Sequence, residues 1–154
     1  MLPLAPPMTI ASTPSSAPDP EALLERFRYV RGVTEELSAP LSAEDQLVQA
    51  MPAASPVKWH RAHTTWFFET FLLIPAGFAP FDASFSRLFN SYYVSVGPRH
   101  HRPHRGLLSR PDAAVVGEYR RVVDERIAEL VRRQGSAGLI ELAPLLLLGL
   151  AHEE

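Results

Sequence analysis

Apolar residues recur at helical spacing along most of the chain, and the first such stretch follows a clear start signal. Asp19 is a residue type that caps helices, and Pro20 suits the first helical position. An apolar face then repeats every three or four residues, at Leu23, Phe27, Val30, Thr34 and Leu37. The pattern predicts a helix over residues 20–38, with Pro40 ending it.

A second start signal, Ser55 followed by Pro56, opens the most aromatic stretch of the sequence. Residues 56–73 are apolar around much of the helical circumference, which is typical of a helix at the centre of a bundle. One stripe of this predicted helix carries Trp59, His63, Trp66, Thr70 and Leu73. A short capped turn is expected before it, at residues 42–45.

The rest of the chain predicts further helices and a basic loop. A shorter helix is expected over residues 82–95, a proline-punctuated loop over 97–110, and a long helix over 111–133. A last helix is predicted from about residue 139 to the end, broken or restarted at Pro144. No alternation typical of strands is found, so we predict an all-α, up-and-down four-helix bundle over residues 19–154.

Residues 1–18 are rich in proline, alanine and serine and too poor in large apolar groups to offset the entropy of ordering. We therefore expect a disordered N-terminal tail. The tail carries no lysine or arginine and has no uninterrupted apolar core, so it does not resemble a secretory signal.

Composition excludes several classes of function. The formal net charge is −2, so the whole chain has no field that would recruit nucleic acid. With no cysteine there is no disulfide, thiolate zinc site or thiol nucleophile, and a cytoplasmic location is expected. The most apolar run, residues 145–151, is shorter than the roughly 20 residues of a membrane-spanning helix, so no membrane span is expected.

Histidine is the residue type with the clearest chemical potential. His63 falls on the apolar stripe of the second helix, where a hydrogen-bonded core histidine is the ordinary interpretation. His152 ends the last helix, where a cationic cap is the ordinary interpretation. Imidazoles from facing helices of a bundle can also meet at one metal ion, and the residues alone leave both alternatives open.

Three long strings carry a resemblance to a known family. PAASPVKWHRAHTTWFFETF, FDASFSRLFNSYYVSVGPRHHRPHRGLLSRP and LIELAPLLLLGLAHEE resemble, in the same order, successive segments of the ergothioneine sulfoxide synthases. The resemblance implies a DinB-like helical domain, followed in the family by a catalytic domain of the formylglycine-generating-enzyme type. It also implies an iron(II) ion held by three histidines, and an oxygen-dependent reaction that joins hercynine to γ-glutamylcysteine or cysteine.

Carried over residue by residue, the resemblance implies that His63 and His152 are iron ligands. The family's His-Glu-Gln-Gln-His pattern departs here at Glu154, and its last histidine is missing, so we expect an incomplete iron site. We expect the catalytic domain to be absent as well. We therefore expect a fragment that is inactive by itself and contains no catalytic residue, and whose last helix is exposed and self-associates.

The basic loop offers a weaker indication. In the family, arginines of this loop bind the carboxylates of the thiol substrate, and Arg99 and Arg102 hold the most similar positions. A solvated loop is the alternative, and nucleic-acid binding is disfavoured because no stacking aromatics accompany the arginines. Glu69 is expected on the helix surface, and the alternative is a carboxylate that supports a metal-ligating histidine. For the whole chain, the alternatives are a stand-alone DinB-like metal-binding or dimerisation module without redox activity, and a remnant that binds no metal.

Overall fold

Five α-helices make up most of the computed structural model, which describes residues 18–91 and 97–154. They are α1 (Pro20–Ser38), α2 (Val57–Phe68), α3 (Phe85–Leu88), α4 (Ala113–Arg133) and α5 (Ser136–Glu153). Two short 3₁₀ turns lie at Asp45–Leu47 and Arg102–Leu107. The described residues contain no strand, so the predicted all-α bundle is confirmed. The predicted disordered tail lies, except for its last residue, outside the described residues.

The four long helices form the bundle. Helices α4 and α5 each pack against both α1 and α2. Large side chains fill the space between them, including Trp66, Tyr119, Phe27 and Phe68, all less than 2% exposed. The rings of Phe27 and Phe68 meet edge to face, with centroids 5.1 Å apart, and join α1 to α2 at the centre of the core.

Helix α1 has the predicted bounds, because its start is specified locally. The Asp19 carboxylate accepts a hydrogen bond from the Glu21 N–H at 3.1 Å, and Pro20 occupies the first turn. The predicted buried face is wrong at its end, where Leu37 is 75% exposed and Ser38 is buried instead. At roughly 100° per residue, Ser38 lies almost directly in line with Phe27, whereas Leu37 points well away from that line.

Helix α2 is buried on nearly all sides, as its apolar circumference predicts. Only Val57 and His60 are exposed among its residues. It continues into a π-helical segment, Glu69–Leu73, in which the Ile74 N–H donates to the Glu69 carbonyl at 2.9 Å. The helical stretch thus ends at the predicted residue, with a wider last turn that the sequence did not indicate.

Two predictions about helix extent are wrong. Helix α3 covers four residues instead of 82–95; Phe89, Asn90 and Ser91 are buried without helical structure, and residues 92–96 lie outside the described part. Helix α5 runs unbroken through Pro144. Proline frees only the Ile140 carbonyl four residues earlier, and both residues are exposed there, so water can satisfy that carbonyl.

Helix α5 is the most apolar element. It has a mean hydropathy of 1.3, and by length and composition alone it would suffice to cross a membrane, a test that bundle core helices also pass. Self-association was expected through residues 145–151. The bundle buries three residues of this run, Leu146, Gly149 and Leu150, whereas Leu148 is 57% exposed.

Candidate metal and anion site

Two histidines from different helices meet at one end of the bundle. His63 lies in the middle of α2 and is 6% exposed, and His152 lies in the last turn of α5. Their ring centroids are 5.0 Å apart, and the ring planes are inclined by 82°. The structure therefore brings the two histidines that the sequence singled out into direct contact.

The surroundings of His63 fix the state of its ring. The ring stacks between Trp59 and Trp66, at centroid distances of 4.5 and 5.6 Å. Its Nδ1 lies 2.6 Å from the Phe89 carbonyl oxygen, which can only accept, so Nδ1 carries the proton and Nε2 the lone pair. Burial lowers the pKa of His63 to about 3, so the imidazole is neutral at pH 7.

His152 is neutral for the same main reason. Partial burial in the cleft lowers its pKa, against the opposing effect of the neighbouring Glu153. Its ring packs against Phe67 at a centroid distance of 5.2 Å. His60 lines the same cleft, and partial burial, followed by the charges of Arg105 and Arg102, lowers its pKa too. Nevertheless, no three His, Asp or Glu side chains of the described residues are grouped so that they could hold a metal ion.

The two histidines open onto a cleft of about 360 Å³. Its walls come from the segment before α2, from α2 itself, from the segment after α3, from the 3₁₀ turn of the basic loop and from the end of α5. They include Ser55, Trp59, Thr64, Ser91, Arg102 and Arg105. No carboxylate is among the described residues that line it. The cleft is therefore basic, although the chain as a whole is slightly acidic.

Arg105 is the buried cation of this cleft. It is 2% exposed, and its guanidinium carbon lies 3.4 Å from the ring centroid of Trp59. One Nη donates to the Ser55 hydroxyl at 2.8 Å, while Nε has no partner among the described residues. Burial, and after it the charges of Arg102 and Arg99, lowers the pKa of Arg105 to about 10.

The two arginines that the sequence suggested lie at this end of the bundle but not in equivalent places. Arg102 lines the cleft, and its Nη1 donates to the Ala53 carbonyl at 3.3 Å. Arg99 lines an adjoining hollow of about 240 Å³, to which Arg102 and Arg105 also contribute, and donates to the Ser91 carbonyl at 3.2 Å. Arg105, which the sequence analysis did not single out, is the most buried of the three.

Two buried carboxylates also escaped the sequence analysis. The expected surface position of Glu69 is wrong: the residue is 2% exposed, and it accepts hydrogen bonds from the Tyr119 hydroxyl at 2.6 Å and the Phe81 N–H at 2.7 Å. Glu153, next to His152, has a side chain only 1% exposed and pairs with Arg31 and Arg120. The sequence feature that could have indicated buried carboxylates is the presence of arginines within apolar helix faces, because a buried arginine is usually paired with an acid.

Comparison with models of known protein families and with curated proteins gave no match. The structure itself shows an all-α bundle that presents two neutral imidazoles and a group of arginines in one cleft.

Proposed function

We propose that this chain is the iron-binding, DinB-like helical part of an oxygen-dependent sulfoxide synthase of ergothioneine biosynthesis. Such an enzyme joins hercynine to a small thiol, γ-glutamylcysteine or cysteine. The observation that carries the proposal is the contact between His63 and His152, whose rings lie 5.0 Å apart although they come from different helices. These are the residues in which the resemblance to that family locates two iron ligands.

The chemistry of the pair suits a metal ion. A ligating histidine usually donates its other ring N–H to an oxygen, which fixes the tautomer, and the bond from His63 Nδ1 to the Phe89 carbonyl does this. Neutral imidazole is the form that binds metal, and burial keeps both rings neutral. His63 through Nε2 and His152 would hold iron(II), which when bound supplies oxygen activation. The described residues supply no third His, Asp or Glu ligand to this pair.

The arginines support an acidic substrate. Arginine forks match carboxylates, and γ-glutamylcysteine carries two of them. Arg102 lies in the histidine cleft and Arg99 in the adjoining hollow, so a carboxylate bound between them would lie close to the two histidines. Arg105 adds a buried positive charge to both spaces. The role proposed for Arg99 and Arg102 is to bind the carboxylates of the thiol substrate.

A second candidate is a stand-alone metal-binding module of the same fold, without redox activity. It is favoured by the lack of any group of three metal-ligating side chains among the described residues. Two imidazoles suffice for modest binding of a divalent transition metal but leave the ion without the complete ligand set of an oxygenase.

Anaerobic titration of the chain with iron(II), followed by calorimetry, tests the metal site. We expect binding that His63→Ala and His152→Ala each abolish, because each change removes half of the available nitrogen ligands. His104→Ala is the matched control, since His104 is exposed in the basic loop and does not line the cleft. Binding that survives in both cleft variants would exclude this pair as the metal site.

A second titration, with γ-glutamylcysteine, separates the two candidates. The sulfoxide-synthase proposal predicts binding of this peptide that Arg102→Ala and Arg99→Ala weaken and that Arg132→Ala, on the exposed end of α4, leaves unchanged. Iron binding without any binding of the peptide would favour the module without redox activity.

A further inference from the structure

The carboxylate of Glu153 is held from two sides. Its Oε2 accepts from Arg31 Nη1 at 2.8 Å, and its Oε1 accepts from Arg120 Nη2 at 2.9 Å and from the Thr34 hydroxyl at 2.7 Å. Arg31 and Thr34 belong to α1, and Arg120 belongs to α4. The last turn of α5 is thus tied by one side chain to two other helices.

The two arginines are themselves fixed from other directions. Arg31 also donates to the Asp124 carboxylate at 2.8 Å and to the Thr65 hydroxyl at 2.8 Å. Arg120 also donates to the Arg61 carbonyl at 3.0 Å and pairs with Glu35. Both arginines are 2% exposed. Because their partners lie on α1, α2 and α4, the carboxylate of Glu153 is received by groups that cannot easily follow it if α5 shifts.

Neighbouring residues of a helix point about 100° apart, so fixing Glu153 also fixes the direction of His152. With Glu153 directed towards α1 and α4, the ring of His152 lies against Phe67 and His63 of α2. His152 is only partly buried, and the contacts of its ring with His63 and Phe67 are weak compared with the buried ion pairs of Glu153. Its position against His63 therefore depends on the anchoring of its neighbour.

We propose that Glu153 is a positioning residue, which anchors the last turn of α5 between Arg31 and Arg120 and thereby keeps the imidazole of His152 opposite that of His63. This inference builds on the proposed metal site, because its consequence is a preformed pair of ligands. A general contribution of Glu153 to stability is the competing explanation.

Asp124 provides the matched control for that explanation. Its carboxylate pairs with the same Arg31, but it lies on α4 and does not line the histidine cleft. Asp124→Asn therefore weakens the same buried group of charges without releasing the end of α5. If Glu153 only stabilised the fold, the two variants would affect the histidine pair in proportion to their loss of stability.

The test uses two readouts on the full chain. The first is the nuclear Overhauser effect between the ring protons of His63 and His152, observed without metal. The second is the affinity for cobalt(II), measured by its visible absorption. In Glu153→Gln we expect the Overhauser effect to disappear and the affinity to fall about 10- to 100-fold, the usual loss when a residue that orients a ligand is changed. In Asp124→Asn both should be retained.

Glu153→Asp keeps the charge and covers the case in which the glutamine variant does not fold. Its side chain is shorter by one methylene, so we expect the Overhauser effect to weaken while the helical circular dichroism stays unchanged. An effect retained in both Glu153 variants, or lost equally in Asp124→Asn, would overturn the inference. Absence of cobalt binding by the unaltered chain would count against the proposed metal site alone, since the Overhauser effect still tests the positioning.

Discussion

The guanidinium carbon of Arg105 lies 3.4 Å from the ring centroid of Trp59, and the ring of His63 stacks on the same tryptophan at a centroid distance of 4.5 Å. The indole of Trp59 therefore contacts both a cation and an imidazole at the cleft. Among the described residues the cation has no carboxylate partner, and after burial it is the positive charges of Arg102 and Arg99 that lower the pKa of Arg105. A buried charge without a counter-charge costs several kcal/mol, so an anion bound in the cleft would relieve that cost.

This leads to a prediction about anions and stability. Citrate at millimolar concentration should raise the thermal unfolding midpoint of the unaltered chain, because a ligand of the folded state stabilises it by mass action. Arg105→Met should remove this response without lowering the stability measured in the absence of citrate, since loss of the uncompensated charge offsets loss of the contacts with Trp59 and Ser55. Arg132→Met, far from the cleft, is the control. A citrate response that persists in Arg105→Met would contradict the assignment.

The sequence predicted those features that are specified by residues close together in the chain. The bounds of α1 were predicted correctly because Asp19 and Pro20 act within one turn, and the period of the apolar residues then defines the helix. The predicted helix over 82–95 was wrong because Phe85 and Phe89 have helical spacing and are both buried, yet only four of the described residues in that range are helical. Apolar spacing indicates burial there rather than helix.

The candidate site depended on contacts between distant parts of the chain. Glu153 and Arg31 are separated by 122 residues, and Glu69 and Tyr119 by 50, so no local pattern indicates that either carboxylate is buried. His63 and His152 were singled out through the resemblance, whereas spacing alone left a core histidine and a helix cap as the simpler interpretations. The structure establishes that the two rings meet, and metal binding by them stays a prediction.

Two helical glycines should respond in opposite ways to the same change. A Cβ at Gly149 of α5 would lie 2.5 Å from a ring carbon of Phe68 and 2.9 Å from one of Phe67, whereas a Cβ at Gly32 of α1 would meet nothing within 4 Å. Gly149→Ala should therefore lower the free energy of unfolding by about 1–3 kcal/mol. Gly32→Ala should raise it by about 0.5–1 kcal/mol, because alanine loses less backbone entropy in a helix. Urea unfolding measures both, and equal signs would refute the packing described for α5.

Lys58, the only lysine of the chain, holds the end of the basic loop. It is 3% exposed, and its Nζ donates to the carbonyls of Leu108 and Pro111, each at 2.7 Å. Lys58→Met keeps the aliphatic stem but leaves these carbonyls unpaired, so we expect a loss of about 2–3 kcal/mol in unfolding free energy. Arg110→Met is the neighbouring control. Its pair with Asp112 is exposed and should contribute little to stability, so a larger loss in Arg110→Met than in Lys58→Met would contradict the role of Lys58.

Glu69 should make the stability of the protein depend on pH in an unusual direction. Burial raises its pKa in the folded chain, against the hydrogen bonds from Tyr119 and Phe81 that lower it. The folded state then binds more protons than the unfolded state between the ordinary pKa of a glutamate and the raised one. The contribution of Glu69 to stability is therefore fully present below the ordinary pKa, and it is lost as the pH rises through the raised value.

Glutamine at position 69 removes this titration while keeping an acceptor for the Phe81 N–H. The unfolding free energy of the unaltered chain minus that of Glu69→Gln should therefore fall as the pH rises from below about 4.3, and level off once the folded carboxyl has ionised. Glu118→Gln gives the opposite control. Hydrogen bonding to Arg121 lowers the pKa of Glu118, so its contribution is lost as the pH falls. Urea titrations across the acid range measure both differences, and a Glu69 difference that grows with pH would show that its partners outweigh its burial.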